Sequence, residues 1–289
     1  MTKTALVTGA VEGMGRLMAR KLAQKGWTVF AGVLPGADVS ALLDGVSLHA
    51  IEQDVSDDHS VRQSEQQIAS ILNGQGLNLV INNAGIANMG QGVVEGFDIE
   101  AAKRMFEINT WGQVRIAQAF LPYLRKAAPD AKMINFGSGA VVVNPPGAGA
   151  YNMSKHAVYG MTGTLRHELA AFGVQATAIF PGGVKTAMTA NSHETTKQVF
   201  AKVPEAIRAV YEPVLGDTIM KVLPDMLEKS GSDPEYLTDE VLKIAEKKKL
   251  KPSYLVGKDV NAMKPLRLLT EGALESLVRG QFKIPTKAK

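Results

Sequence analysis

The chain has 289 residues, 45% apolar and 21% charged, a balance that suits a globular fold with a sizeable core. Its net charge of +4 is mild, and the absence of cysteine excludes disulfides, thiolate nucleophiles and cysteine-based metal sites. No histidines stand at a metal-ligand spacing, no signal-peptide pattern opens the chain and no window of about 18 uninterrupted apolar residues occurs, so no metal site, no transmembrane segment and a cytoplasmic location are expected.

Short β-branched apolar runs alternate with longer helical stretches. "TALVTG" (4–9) predicts a first strand, followed by a helix to Lys25. "WTVFAGV" (27–33) and "VSLHAIEQD" (46–54) predict the second and third strands, with a polar helix over 57–73. "LNLVINNAG" (77–85) reads as the fourth strand, then a long helix over 99–127 and a fifth strand at "KMINFGS" (132–138). A helix follows Ala150 as far as Phe172, and "VQATAIFPG" (174–182) is the sixth strand. From 187 to 250 apolar residues come at helical spacing, as at Val199, Val203, Ile207 and Val210, with Pro204, Pro213 and Pro224 segmenting the run. "SYLVG" (253–257) predicts a last strand and "NAMKPLRLLTEGALESLVRG" (261–280) a closing helix. This order predicts an α/β fold, a doubly wound parallel sheet with helices on both faces, in one domain over 1–289 with 187–250 as a helical insert.

The lysine-rich run 243–251 holds five lysines against one Glu and reads as a solvated helix face. No aromatic residues alternate with the lysines, so no nucleic-acid partner is expected.

In such folds ligands bind beyond the carboxyl ends of the strands. "TGAVEGMG" places Thr8, Gly9, Glu12, Gly13, Met14 and Gly15 between a strand and a helix start. Glycines there let the backbone approach a pyrophosphate, and the helix N-terminus offers free N–H groups to it. Tyr151 and Lys155 of "YNMSK" share one helix face. An ammonium near a phenol favours the phenolate, so Lys155 is expected to lower the Tyr151 pKa by roughly two to three units. Taken singly, these features have plain structural readings. A Tyr and Lys four apart is ordinarily surface packing, Ser138 a loop hydroxyl, and Asn109 a helix kink or cap.

Together they resemble the short-chain dehydrogenase/reductase family. The residues that carry the likeness are TGxxxGxG, "NNAG" (82–85), "PGGVKT" (181–186), and Asn109, Ser138, Tyr151 and Lys155 in the order of the family's catalytic tetrad. It covers roughly 3–190 and is most similar to the retinol, hydroxysteroid and 3-hydroxybutyrate dehydrogenase branch. The resemblance implies a Rossmann-like fold and a nicotinamide-dependent oxidoreductase acting on a secondary alcohol or ketone. It gives Tyr151 the proton transfer, Ser138 the substrate oxygen, Lys155 the nicotinamide ribose and Asn109 a water linking Lys155 to solvent. The dinucleotide is expected to meet the glycine-loop residues, Asp54 and Val55, Asn82, Ala84 and Gly85, Tyr151 and Lys155, and Pro181, Gly182, Val184 and Thr186. Asp54 also fits a capping turn.

No basic residue occurs in "AGVLPGADVS", Asp38 stands near the second strand's end, and Glu12 would repel a 2′-phosphate, so NAD is expected rather than NADP. The apolar insert, with Met188, Phe200, Tyr211 and Met220, points to a hydrophobic alcohol or ketone of steroid, retinoid or fatty-chain type; an apolar stripe also serves as core. Arg208 or Lys202 could meet a carboxylate. Ala157, Gly160 and Gly163 form a small-residue stripe that fits close helix pairing, or packing on the chain's own sheet; the resemblance implies a homodimer or homotetramer. A non-catalytic dinucleotide sensor on the same fold is the alternative. It would have no need of Ser138, Tyr151 and Lys155 together.

Overall fold

Every residue of β1 (Thr4–Val7) and β4 (Leu79–Asn82) is buried, as is nearly every residue of β2 (Thr28–Val33), β5 (Lys132–Phe136) and β6 (Gln175–Pro181). Strands apolar on both faces need cover on both faces. The structure, a computed structural model, describes residues 2–87, 92–185, 192–225 and 231–285. With β3 (His49–Glu52) and β7 (Ser253–Val256), these strands form one seven-stranded sheet in the order β3-β2-β1-β4-β5-β6-β7, and every pair is parallel. The expected doubly wound α/β fold is present.

Met18, Ala19 and Leu22 of α1 (Gly13–Gln24) cover one face beside Leu237, Val241 and Leu242 of a helix over Pro234–Ala245. The other face is covered by α3 (Asp58–Leu72), α5 (Gly112–Ala127) and α7 (Gly149–Leu169), through Val61, Ile68, Ile116, Phe120 and Leu165. Two short helices escaped the sequence pattern, α2 (Ser40–Leu43) and α6 (Ala140–Val143). Each is a single turn, too short for a periodic signal. The long helix expected over 99–127 is α4 (Ile99–Phe106), a π-helical turn at Glu107–Trp111, and α5.

The region read as one insert divides. Helices α8 (Ser192–Ala201) and α9 (Glu205–Asp217) build a small cluster with Val93, in which Phe200, Val203 and Ile219 are buried. Helix α10 (Pro234–Ala245) instead joins the main core as the crossover to β7. Pro213 does not segment the run: α9 passes through it. Ala209, whose carbonyl loses its partner to the proline, is exposed and open to water. The lysine run is no helix face either, because α10 ends at Ala245. The turn beyond it is held by its carbonyls: Lys248 accepts from Gln175, Leu250 from Arg166, and Lys251 from Thr177. The closing helix is three pieces, α11 (Lys258–Ala262), a 3-10 stretch at Lys264–Leu268 started by Pro265, and α12 (Glu271–Gln281) beyond an extended Leu269.

A buried amide chain joins sheet to helix. Asn82 Nδ2 donates to Asn135 Oδ1 (2.9 Å), Asn135 Nδ2 to Thr162 Oγ1 (3.0 Å), and Thr162 Oγ1 to the Val158 carbonyl (2.7 Å). Replacing Asn135 with Ala strands Asn82 inside the sheet. The expected cost is about 1–3 kcal/mol, measured as a lower urea midpoint at unchanged slope.

Candidate active site

The loop between β1 and α1 is shaped by backbone approach. Gly9 stands at φ +64°, and a Cβ on Gly15 would lie 2.1 Å from the Gly9 carbonyl oxygen. Neither position admits a side chain without moving the loop. Glu12, the N-cap of α1, is exposed and makes no side-chain cap bond, so among the described residues the first-turn N–H groups have no side-chain acceptor. Thr8 and Gly13 flank this bend, with Met14 half-buried against the core. A glycine cradle at an uncapped helix start fits a dinucleotide pyrophosphate.

The chain after β4 crosses to this loop. Asn83 and Ala84 each donate their backbone N–H to Thr8 Oγ1 at 3.0 Å, and Asn83 Nδ2 donates to the carbonyls of Thr8 (3.0 Å) and Gly9 (3.1 Å). Asn83 was not among the expected site residues. Its neighbour Asn82 was, but the Asn82 side chain points into the amide chain under the sheet and is 1% exposed.

Asn109 lies in the π-helical turn, fully buried. Its Oδ1 accepts from Ile86 N (2.8 Å), and its Nδ2 donates to the Ile86 carbonyl (2.9 Å) and to Ser154 Oγ (3.2 Å). Ser154 Oγ in turn donates to the Tyr151 carbonyl (2.8 Å). The π turn thus grips both the loop after β4 and helix α7. Arg115 secures it through ion pairs to Glu107 and Asp58. Gly85 leaves the space between: a Cβ there would be 3.1 Å from Asn109 Oδ1 and 3.4 Å from Lys155 Nζ.

Tyr151 and Lys155 lie on α7 as their spacing requires. Lys155 is 5% exposed, its Nζ donates to the Phe136 carbonyl (3.1 Å), and it stands 5.7 Å from the Tyr151 ring centroid. Ser138, just past β5, stands beside the Tyr151 hydroxyl closely enough to act on its titration, and its Oγ accepts from Ala140 N (3.2 Å). The four residues of the expected tetrad are therefore brought together at the carboxyl edge of the sheet.

The electrostatics differ from the expectation. Burial pushes the Tyr151 phenol above its ordinary 10, and the neighbouring Ser138 hydroxyl pulls it back in part. Burial also pushes Lys155 down to about 8. The expected acidification of Tyr151 by Lys155 is absent, because desolvation acts on both groups and the ammonium rests on a carbonyl of β5.

The remaining expected residues are spread along the same edge. Asp54 Oδ1 accepts from Ser56 N (2.8 Å) and Ser56 Oγ (2.6 Å), the turn-forming role, while Val55 packs against Gly112. Asp38 accepts from Ser40 N (2.9 Å) in the loop before α2. The Pro181 carbonyl accepts from Gly139 N (2.8 Å), and Val184 pairs with Ser232. Gly182 adjoins Asp259, whose Oδ2 accepts from Gly183 N (2.8 Å), a clamp the sequence reading missed. Thr186 and Met188 lie outside the described residues. Phe200 and Met220 belong to the insert's own small core, Tyr211 donates to Glu95 (2.9 Å), and Arg208 donates to the Ala201 carbonyl (3.4 Å). Lys202 is exposed. A Cβ on Gly160 or Gly163 would meet nothing within 4 Å, so these two glycines of the stripe do not pack on their own sheet, while Ala157 is half-buried.

Residues 3–197 match the family model described as short chain dehydrogenase. The chain is 31% identical over 220 residues to retinol dehydrogenase 5 of Mus musculus, covering 75% of this chain and 68% of that protein. It is 30% identical over 285 residues to the uncharacterized oxidoreductase YusZ of Bacillus subtilis, covering 96% and 97%. A crystal structure of a short chain dehydrogenase from Burkholderia cenocepacia J2315 in complex with NADP superposes with a TM-score of 0.72 at 24% identity, covering 96% of this chain and 97% of that one.

Lys155 has a pH signature. Its folded pKa of about 8 lies below the ordinary 10.5, so between these values the unfolded chain holds more protons. Stability from this group therefore rises with pH across that window. Relative to Lys155→Met, the native protein is expected to gain about 2 kcal/mol between pH 7 and 9.5. Urea unfolding at the two pH values measures it; a constant difference would mean that residue 155 does not titrate there.

Proposed function

The chain belongs to the short-chain dehydrogenase family, and on that premise we propose that it moves a hydride between a nicotinamide cofactor and a secondary alcohol or its ketone. We read residues 1–289 as one catalytic domain. The observation that carries the reading is the meeting of Ser138, Tyr151 and Lys155 at the strand ends, on the same edge as the uncapped glycine cradle.

A bound nicotinamide supplies or accepts the hydride; the protein manages the proton. Ser138 orients the substrate oxygen against the Tyr151 hydroxyl. At neutral pH the phenol holds its proton, the state that donates to a carbonyl oxygen as it becomes an alkoxide. In the reverse direction the tyrosine must first release that proton, and it is the phenolate that takes up the proton of the alcohol. Asn109 keeps the loop after β4 and helix α7 in register around them.

The substrate is hydrophobic in this reading. Ile86, Phe97 and Ala150 pack with Tyr151, and the apolar α8–α9 cluster closes over the 92–97 stretch through Val203 against Gly92 and Gly96. The similarity to a retinol dehydrogenase supports the same class. NAD is the proposed cofactor. Glu12 stands exposed at the cradle, the residue after β2 is Leu34, and Arg20 is committed to the carbonyls of Ala41 and Leu42 (3.0 Å each). The open face of α7, with Gly160, Gly163 and the exposed Met153 and Tyr159, supports pairing with a second copy.

Turnover of alcohols and ketones, followed by nicotinamide absorbance, tests the reading. Tyr151→Phe is expected to lower turnover by about 10²–10⁴, with cofactor affinity within a few-fold by fluorescence. A variant as active as the parent would overturn the proton role. Glu12→Ala is expected to improve use of NADP; unchanged preference would remove the charge argument for NAD.

A further inference from the structure

The end of β5 is where an unpartnered backbone group appears. The last register pair between β4 and β5 is Asn82 with Asn135. Beyond it the chain of β4 leaves for β1, where Thr8 accepts the backbone N–H groups of Asn83 and Ala84. Phe136 still pairs with Ile179 of β6, but it has no β4 residue on its other side. Its carbonyl is filled by two side chains from different helices, Lys155 Nζ from α7 and Gln113 Nε2 from α5, each at 3.1 Å.

Gln113 is an unexpected residue there. It is 2% exposed, and its Oε1 is buried without a partner among the described residues. An apolar side chain of the same length would fill the space without an orphan acceptor. The amide is thus accounted for by the single bond it donates. That bond places the positive end of an N–H dipole beside the ammonium and occupies the second lone pair of the oxygen that holds it.

We infer that Gln113 is a positioning residue for Lys155: by sharing the Phe136 carbonyl it fixes where the ammonium sits and limits how strongly that oxygen holds it. The other groups facing Lys155 are the Tyr151 ring from its own helix and Asn109 across Gly85. Among the described residues no carboxylate acts on it, so its titration is open to the influence of one neutral dipole. The catalytic consequence rests on the proton-transfer reading above; the coupling between the two side chains does not.

The test follows the Cε and Nζ resonances of isotopically labelled lysines through a pH titration of the full chain, with Lys155 assigned by Lys155→Arg. Gln113→Met keeps the length and removes the donor; Gln113→Glu replaces the donor with a charge. The expected order of the Lys155 midpoint is Gln, then Met, then Glu, with the Met step at least about 0.5 pH unit upward. A filler role would change the melting temperature and leave the midpoint in place, and equal midpoints in the Met and Glu variants would overturn the inference. If the Glu variant fails to fold, the Met variant against the parent still decides; if the Met variant fails, Gln113→Leu takes its place. The pH profile of kcat/KM for ketone reduction is expected to move with the midpoint. A moved midpoint in a protein that turns over no alcohol or ketone supports the coupling and defeats the dehydrogenase reading. An unmoved midpoint in an active enzyme does the reverse.

Discussion

An ammonium taken out of water has to be given oxygen, and the source of that oxygen organises the upper edge of this sheet. Strand β4 parts from β5 after Asn82 and crosses to Thr8, leaving the Phe136 carbonyl with no β4 neighbour. A buried carbonyl left unpaired is costly, and so is a buried ammonium left unpaired. Each meets the other's need. Lys155 can therefore be 5% exposed in a place where the described groups acting on it include no carboxylate.

The same crossing builds the cradle. Asn83 holds the carbonyls of Thr8 and Gly9, and Gly15 approaches Gly9 more closely than any side chain would permit. Three residues later, Ile86 is held at both its backbone groups by Asn109. The short stretch 83–86 is thus shared by the glycine cradle and the candidate proton-transfer site, so displacing it disturbs both. Asn109 reaches it because α4 and α5 are joined by a π turn, which widens the helix where an amide must leave the i to i+4 pattern. Arg115, paired to Glu107 and Asp58, ties that turn to the start of α3.

Much of this was legible in the chain because the signals were local. Four- to seven-residue apolar runs became strands, since burial on both faces leaves no alternation to obscure them. Gly9 and Gly15 stood out because the turn admits no side chain, and Asn109 because an amide is a misfit inside a helix. What escaped depended on distant partners. Gln113 is one polar residue in an amphipathic helix until Phe136 arrives from β5. Asp259 looks like a helix-start acid until its carboxylate meets Gly183. Helix α10 shares its period with α8 and α9, and only the sheet edge opened by β7 assigns it to the main core. Proline was an uneven guide, because its effect turns on whether the freed carbonyl can reach water, as at Ala209, which no local pattern records.

The phenol and the ammonium mark the limit of reasoning from spacing. Four residues on a helix guarantee one face, but not one environment. The attraction of an ammonium for a phenolate grows as water is removed, and so does the cost of creating either charge. Here the second effect wins: the phenol rises and the ammonium falls to about 8. The two titrations are thereby drawn apart from their ordinary near-coincidence around 10. Between them lies a range in which the lysine sheds its charge while the tyrosine keeps its proton. At neutral pH the pair holds one proton more than the phenolate it would need as a base and is fully loaded as an acid. The burial that makes Lys155 dependent on the Phe136 oxygen is the same burial that gives the resting site this bias.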